Sequence, residues 1–341
     1  MGKKFTIGVL IGNVHTAHPK DLMRGIRAAA SGMDVNVIYF LGTQSVRFNQ
    51  KFALEDFDYQ YNTVYDYAKL AKVDVLIIAY GSLCIFQKNE DKQAFLDKFA
   101  GIPYVLLEDA TDDPRGIYVM VDNFGGMQKC VEHLIIEHHL KHLVYLGGPE
   151  DNQDAIERKA AFLNVMAEHH LPVTPEMMAV GDYSEFVDNL VEQLLKDNPD
   201  AEAIISANDE MTVACYRVCK AHGLRIGKDI LITGFDDVER ARYSNPPLTT
   251  ASQDAYKMGQ IAVEKAVDIC AGRPVESVRL DAELIIRESC GCKVTRRAKE
   301  KADEKTELLH IIDELRLFQH KSWLGPFLIR DLMPVSYTHL R

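Results

Sequence analysis

Two short apolar runs, Ala203-Ile204-Ile205 and Ile230-Leu231-Ile232, flank a stretch with helical periodicity. Each run ends in small and acidic residues, Ser206-Ala207-Asn208-Asp209 after the first and Thr233-Gly234-Phe235-Asp236-Asp237 after the second. Uninterrupted apolar runs of this length suit strands buried on both faces, and a helix between two of them makes a β-α-β unit. Polar groups then stand at the carboxyl ends of parallel strands, where open α/β sheets bind ligands. Segment 203–254 therefore restricts the chain to an α/β fold and points to a small-molecule site.

The same alternation runs through the chain. Strands are expected at 6–11, 35–40, 75–79, 104–107 and 118–121, with helices at 20–30, 61–70 and 92–99 between them. The pattern repeats with strands at 143–146, 178–181, 203–205 and 230–233 and helices at 125–137, 154–169, 185–196, 210–222 and 255–271. Two such series within about 290 residues imply two doubly wound parallel-sheet lobes. At 341 residues the chain has room for both. No run reaches the ~18–20 apolar residues needed to span a bilayer. The N-terminus enters a β-branched run with no cleavage-site pattern after it, so a cytoplasmic protein is expected, without membrane contact. A net charge of −11 argues against nonspecific coating of nucleic acid, and none is expected to be bound directly by this chain. The seven cysteines are scattered and odd in number, which favours free thiols.

Composition changes after Cys292. Residues 293–307 are dense in Lys, Arg, Glu and Asp, and Leu308, Ile311, Ile312, Leu315 and Phe318 then form one apolar stripe at helical spacing. That stripe fits either a terminal helix docked on the second lobe or a helix that pairs with its own copy. The charged stretch before it favours an exposed connector. Residues 321–341 read as the start of a truncated further domain, with a tail from about 333 that resembles the end of a cut reading frame.

Several motifs together resemble the ligand-binding core of the lac repressor family, over residues 6–290. They are Ile7-Gly8-Val9-Leu10, Val73-Asp74-Val75-Leu76-Ile77-Ile78, Gly101-Ile102-Pro103-Tyr104-Val105-Leu106-Leu107, Val121-Asp122-Asn123, Arg158-Lys159-Ala160-Ala161-Phe162, Gly234-Phe235-Asp236-Asp237, Pro247-Leu248-Thr249-Thr250 and Arg287-Glu288-Ser289. The resemblance implies a type I periplasmic-binding-protein-like fold: two doubly wound parallel-sheet lobes joined by three crossings, near 119–121, 251–253 and 283–286, plus a C-terminal helical extension. The expected division is 5–120 plus 252–283 for the N-terminal lobe, 121–251 plus 284–292 for the C-terminal lobe, and 293–320 for a charged signalling helix. The chain departs from the family in lacking its N-terminal helix-turn-helix, in placing His139 where a glycine is usual, and in carrying Ala161 within the arginine motif. A core of this kind followed by Ser289-Cys290-Gly291-Cys292 and a charged helix also resembles sensors fused to a GGDEF diguanylate cyclase, although no GGDEF motif is present.

In such a fold the lobes close on a ligand, and the resemblance marks the residues expected to meet it. Arg158 offers a planar fork of donors, against the plainer reading of a surface arginine paired with Glu157 or Asp154. Asp236 can accept two hydroxyl hydrogen bonds, with Asp237 left for a cap or turn. Asn208 donates and accepts, while Asp209 is expected to cap the following helix. From the first lobe come Glu108, Tyr80 and His18, with Asp122 just past the first crossing. Tyr80 at a strand end suits stacking on a sugar or base as well as core filling.

Other chemistry has weaker support. His138, His139 and His142 lie at the end of a helix, where histidines also suit the dipole, and no thiolate or carboxylate set has matching spacing. Cys290-Gly291-Cys292 is by itself an incomplete metal site, and Cys215 and Cys219 read as core residues. No metal or cofactor is expected, and no nucleophile–base pair or phosphate-binding loop marks an enzyme. The function expected is non-catalytic sensing of a small polar metabolite, sugar- or nucleoside-like, by a homodimer that signals to a C-terminal output, a diguanylate cyclase. The alternative is a lac-repressor-type transcriptional regulator whose DNA-binding head is missing.

Overall fold

The computed structural model describes residues 4–14, 16–43, 58–84, 89–111 and 113–293. The charged connector, its apolar stripe and the segment after it lie outside the described residues.

The apolar runs form two six-stranded sheets. In the first, β1 (Phe5–Gly12), β2 (Val35–Gly42), β3 (Val75–Ile78), β4 (Tyr104–Leu107), β5 (Gly116–Val121) and a late strand, Val278–Leu280, all run parallel. In the second, β6 (Leu143–Gly147), β7 (Met178–Val180), β8 (Ala203–Ser206), β9 (Leu231–Asp236) and β10 (Thr249–Ser252) run parallel. The late strand of the first sheet is β11, and the second sheet ends in β12 (Glu283–Ile285), antiparallel to β10. Strand order is β11-β5-β4-β3-β1-β2 in one sheet and β12-β10-β9-β8-β6-β7 in the other. Each sheet thus reverses its winding once, between β1 and β3 and between β6 and β8, which opens a crevice beyond the strand ends there. β3, β4, β6 and β8 are buried along their whole length, as strands covered on both faces require.

Helices cover both sheets. The first lobe carries α1 (Ala17–Ser31), α2 (Tyr67–Leu70), α3 (Tyr80–Leu83) and α4 (Asn89–Asp97). The second carries α5 (Asn123–Ile136), α6 (Gln153–Glu168), α7 (Asp188–Asp197), α8 (Asp209–Ala221) and α9 (Glu239–Tyr243). The chain then returns, and α10 (Ala255–Cys270) packs against α1 in the first lobe. That packing is close: a Cβ on Gly25 would lie 1.9 Å from the carbonyl oxygen of Tyr256, so only glycine lets the two backbones meet. The chain passes between the sheets after β5, after β10 and between β11 and β12. These passages are tied together, with Asp122 N–H donating to Leu280 O at 2.7 Å and Lys129 Nζ to Asp281 at 2.6 Å.

The helix expected over 61–70 is a 3-10 helix, Asp58–Asp66, followed by a single α turn. Tyrosines and β-branched residues favour α-helix weakly, and tertiary contacts win: the Tyr65 hydroxyl donates to Thr43 O at 3.1 Å. The short strands β10, β11 and β12 and the one-turn helices α3 and α9 have no periodicity long enough to read in the sequence. Among the described residues no helix is long and apolar enough to cross a membrane.

Candidate functional site

The crevice between the two switch points contains a cavity of about 190 Å³. Its walls come from the loop after β1 (Asn13, Thr16), the first turn of α1 (His18), the turn after β3 (Ser82) and Glu108 after β4. Across from these stand Asn152, Asp154 and Arg158 after β6, Tyr183 after β7, and Asp236 at the end of β9. A second cavity of about 450 Å³ shares His18, Asp236 and Val238 with the first, so the crevice continues past α1 and α9.

Arg158 is the largest fully buried side chain, 2% exposed. It is held on three sides. Nε donates to Asn123 Oδ1 at 2.8 Å, Nη1 donates to Ala207 O at 2.6 Å, and the guanidinium lies 3.8 Å over the Phe235 ring. Asp236 Oδ1 lies 3.5 Å from Nη1 and Asp154 Oδ2 lies 3.8 Å from Nη2. Nη2 is buried and makes no hydrogen bond among the described residues. A buried donor on a charged group is costly to leave unsatisfied, so this is a fixed donor awaiting an acceptor.

Facing it, Glu108 adopts a φ of 70° and accepts from His18 Nε2 at 2.6 Å, from Ser82 N–H at 2.7 Å and from the Ser82 hydroxyl. Burial alone would raise the Glu108 carboxyl, but His18 and the Ser82 bonds outweigh it and hold it below its ordinary value. Burial alone would lower His18, and the Glu108 carboxylate outweighs that and raises it. The two form a charged pair in the cleft wall. Burial pushes the Asp154 carboxyl up to about 7, against Arg158 and aided by Glu108. Burial likewise raises Asp236, against Arg158 and His18, and Gln253 donates to its carboxylate. Positive and negative groups thus nearly balance, and hydrogen-bond donors and acceptors alternate around a small chamber. That composition suits a neutral molecule carrying several hydroxyl or ring N–H groups.

Comparison with known proteins agrees with this geometry. A family described as "Periplasmic binding protein-like domain" matches residues 131–290. The HTH-type transcriptional regulator CelR of Thermobifida fusca is 30% identical over 61% of this chain and 62% of its own length. The HTH-type transcriptional repressor PurR of Aliivibrio fischeri is 29% identical over 57% of this chain and 56% of its own. The chain thus spans roughly three fifths of these relatives. A CelR–cellobiose complex superposes with a TM-score of 0.70 at 23% identity, covering 84% of this chain and 85% of that one. A lac repressor dimer bound to operator and an anti-inducer also gives 0.70 at 23% identity, covering 85% and 82%. The described residues form a type I periplasmic-binding-protein-like fold with two parallel-sheet lobes. The expectation of a diguanylate cyclase output finds no support in these relatives, which are named as transcriptional regulators.

Within this fold, five of the seven residues expected at the ligand line the cavity together: Arg158, Asp236, Asn208, Glu108 and His18. Tyr80 and Asp122 do not. Tyr80 is absent from the cavity wall and is buried on the outer face of the first sheet, in the same cluster as Leu76, Ile78 and Phe95. The helical turn α3 carries it there, and Ser82, two residues on in the same turn, takes the cleft position in its place. Asp122 caps α5 by accepting from Gly125 N–H at 3.0 Å and does not line the cavity. Asn208 lines the cavity, yet its amide is engaged: Oδ1 caps α8 by accepting from Met211 N–H at 3.0 Å, and Nδ2 donates to Tyr183 O at 3.1 Å. The cap expected of Asp209 therefore falls to Asn208, while Asp209 is buried and accepts from Thr250 Oγ1 at 2.7 Å and Val238 N–H at 3.0 Å. Asp237 likewise caps nothing and pairs with Arg242 and Arg287.

Asn152, Asp154, Asn123, Tyr183, Ser82 and Gln253 were not singled out as ligand contacts from the sequence. Asn152 and Asp154 follow β6 as Asn208 and Asp209 follow β8, so the repeated topology carried a signal for them. Tyr183 had none. Its ring fits because Gly148 has no side chain: a Cβ there would lie 2.3 Å from the ring.

Proposed function

We propose that this core is the ligand-sensing part of a transcriptional regulator and that it closes on a neutral, hydroxyl-rich small molecule, sugar- or nucleoside-like. The observation that carries the reading is Arg158, which lines a chamber bounded by the Glu108–His18 pair on one lobe and Asp236 on the other and whose Nη2 makes no hydrogen bond among the described residues. The 190 Å³ chamber accommodates one ring, and the adjoining cavity leaves room for a substituent or a second ring. The CelR–cellobiose complex supports a ligand of this chemistry. Ligand seated between the sheets biases their relative angle through the three passages, and this angle is the signal. The reading includes a cytoplasmic homodimer, after the lac repressor dimer that shares the fold. With a net charge of −11, DNA contact is assigned to residues outside the core.

Titration calorimetry of the full chain against cellobiose, glucose, ribose and adenosine tests the reading. Saturable one-site binding of at least one of them is expected, and it should weaken in Arg158→Lys. Binding of sugar phosphates or nucleotides alone, with no neutral member bound, would overturn it.

A further inference from the structure

On the side of the second lobe away from the cleft, four side chains converge that the ligand site does not use: His133, His138, Cys290 and Cys292. Their ligand atoms all lie within 4.8 Å of one another. His133 Nε2 is 3.3 Å from Cys290 Sγ and 3.7 Å from Cys292 Sγ, and His138 Nε2 is 3.4 Å from Cys292 Sγ. A tetrahedral zinc ion with Zn–S near 2.3 Å and Zn–N near 2.0 Å sets neighbouring nitrogen and sulfur ligands about 3.5 Å apart. The observed separations bracket that value. From these positions we propose that the second lobe holds one structural divalent transition metal, zinc or a close analogue, bound by His133, His138, Cys290 and Cys292.

The backbone builds the cluster. His133 lies in the last turn of α5, and His138 follows the end of that helix. The chain then doubles back: Leu140 N–H donates to Leu134 O at 3.3 Å and His139 adopts a φ of 57°. This turn presents His138 beside His133, their ring centroids 5.0 Å apart. On the other wall, Ser289 is locked into the second sheet, its hydroxyl donating to Ile232 O at 2.6 Å and accepting from Thr249 N–H at 2.8 Å. That bond sets Cys290, which is fully buried. Gly291 has a φ of 87°, a conformation strained for any residue with a Cβ, and it returns Cys292 to the same side as Cys290. The Cys-x-Cys pair is two ligands short, and α5 supplies His133 while the turn after it supplies His138. Spacing does not reveal this, because the contributing histidines are His133 and His138, five apart, whereas His142 is turned away and paired with Asp200 at 2.8 Å.

Two imidazoles and two thiolates are the donor set of closed structural zinc sites, and with no fifth ligand they assign the ion a stabilising role. The ion would fasten the end of the second lobe to α5. The other end of α5 carries Asn123, which holds Arg158. One helix of 14 residues therefore joins the cleft to the His133–His138–Cys290–Cys292 cluster.

The test uses the full chain, purified reduced and stripped with a chelator, then titrated with zinc against a chromophoric competitor and separately with cobalt. One ion per chain is expected, with cobalt giving thiolate charge-transfer and tetrahedral d–d absorption, and zinc raising the melting temperature. Cys292→Ser and His138→Gln, both at partly exposed positions, should each weaken binding by more than about 100-fold, while His142→Gln leaves it unchanged. If either of the first two variants fails to fold without metal, its loss of cobalt absorption at saturating metal is the readout. Substoichiometric binding, binding that survives both substitutions, or air oxidation of Cys290 and Cys292 to a disulfide in the presence of excess zinc would each overturn the proposal.

Discussion

Replacing Arg158 by lysine keeps a positive charge opposite Asp236 and Asp154 and removes the fork. In the native protein Nε and Nη1 are engaged by Asn123 and Ala207, which leaves Nη2 as the donor for ligand. A lysine ammonium at the end of a flexible stem can serve Ala207 O or the carboxylates, but it cannot hold Asn123 and a ligand oxygen as well. A hydrogen bond from a charged donor contributes about 1.5–3 kcal/mol, and its loss corresponds to a drop in affinity of about 10- to 150-fold. Asn123 Oδ1 is also left without its partner, which costs stability of about 1–3 kcal/mol. The assay is titration calorimetry with the tightest neutral saccharide or nucleoside, beside a thermal melt of each protein. Asp122→Ala is the reference variant: it removes the α5 cap, costs about 1 kcal/mol, and should leave affinity unchanged, since Asp122 lies outside the cavity. The reasoning is refuted if folded Arg158→Lys binds within about twofold of the native protein, or if Asp122→Ala weakens binding as much.

Tyr80→Phe should alter neither affinity nor the heat of binding, because Tyr80 belongs to the outer core and not to the cleft; calorimetry checks it. Glu108→Gln removes the acceptor charge that holds His18 and should weaken binding by about tenfold, read in the same titration. Asp154 titrates near 7 in the folded chain and near 3.8 unfolded, so its contribution favours the fold at low pH and is lost as pH rises between those values. Asp154→Asn should therefore gain stability relative to the native chain from pH 5 to pH 8, by at most about 3 kcal/mol, as measured by urea unfolding at each pH. Gly25→Ala drives a methyl into the Tyr256 carbonyl and should cost about 2–3 kcal/mol in the same measurement.

The α/β class and the doubled winding were legible because each depends on local signals: uninterrupted apolar runs for strands covered on both faces, and helical periodicity between them. The carboxyl ends of those strands were legible as a candidate site for the same reason, and Arg158, Asp236, Asn208, Glu108 and His18 line one cavity there. Tertiary structure decided the rest. Whether Tyr80 enters the cleft or the core depends on which way one turn rotates after β3. Whether Asn208 or Asp209 caps α8 depends on where the helix starts by one residue, and the displaced Asp209 is then taken by Thr250 of β10 and by Val238 just before α9. The His133–His138–Cys290–Cys292 cluster joins residues more than 150 positions apart. Sequence determined which segments would be strands and helices, and which chemical groups would stand at their ends. The direction each group faces was set only when the sheets and helices packed, because side-chain partners are chosen by packing across the fold and not by spacing along it.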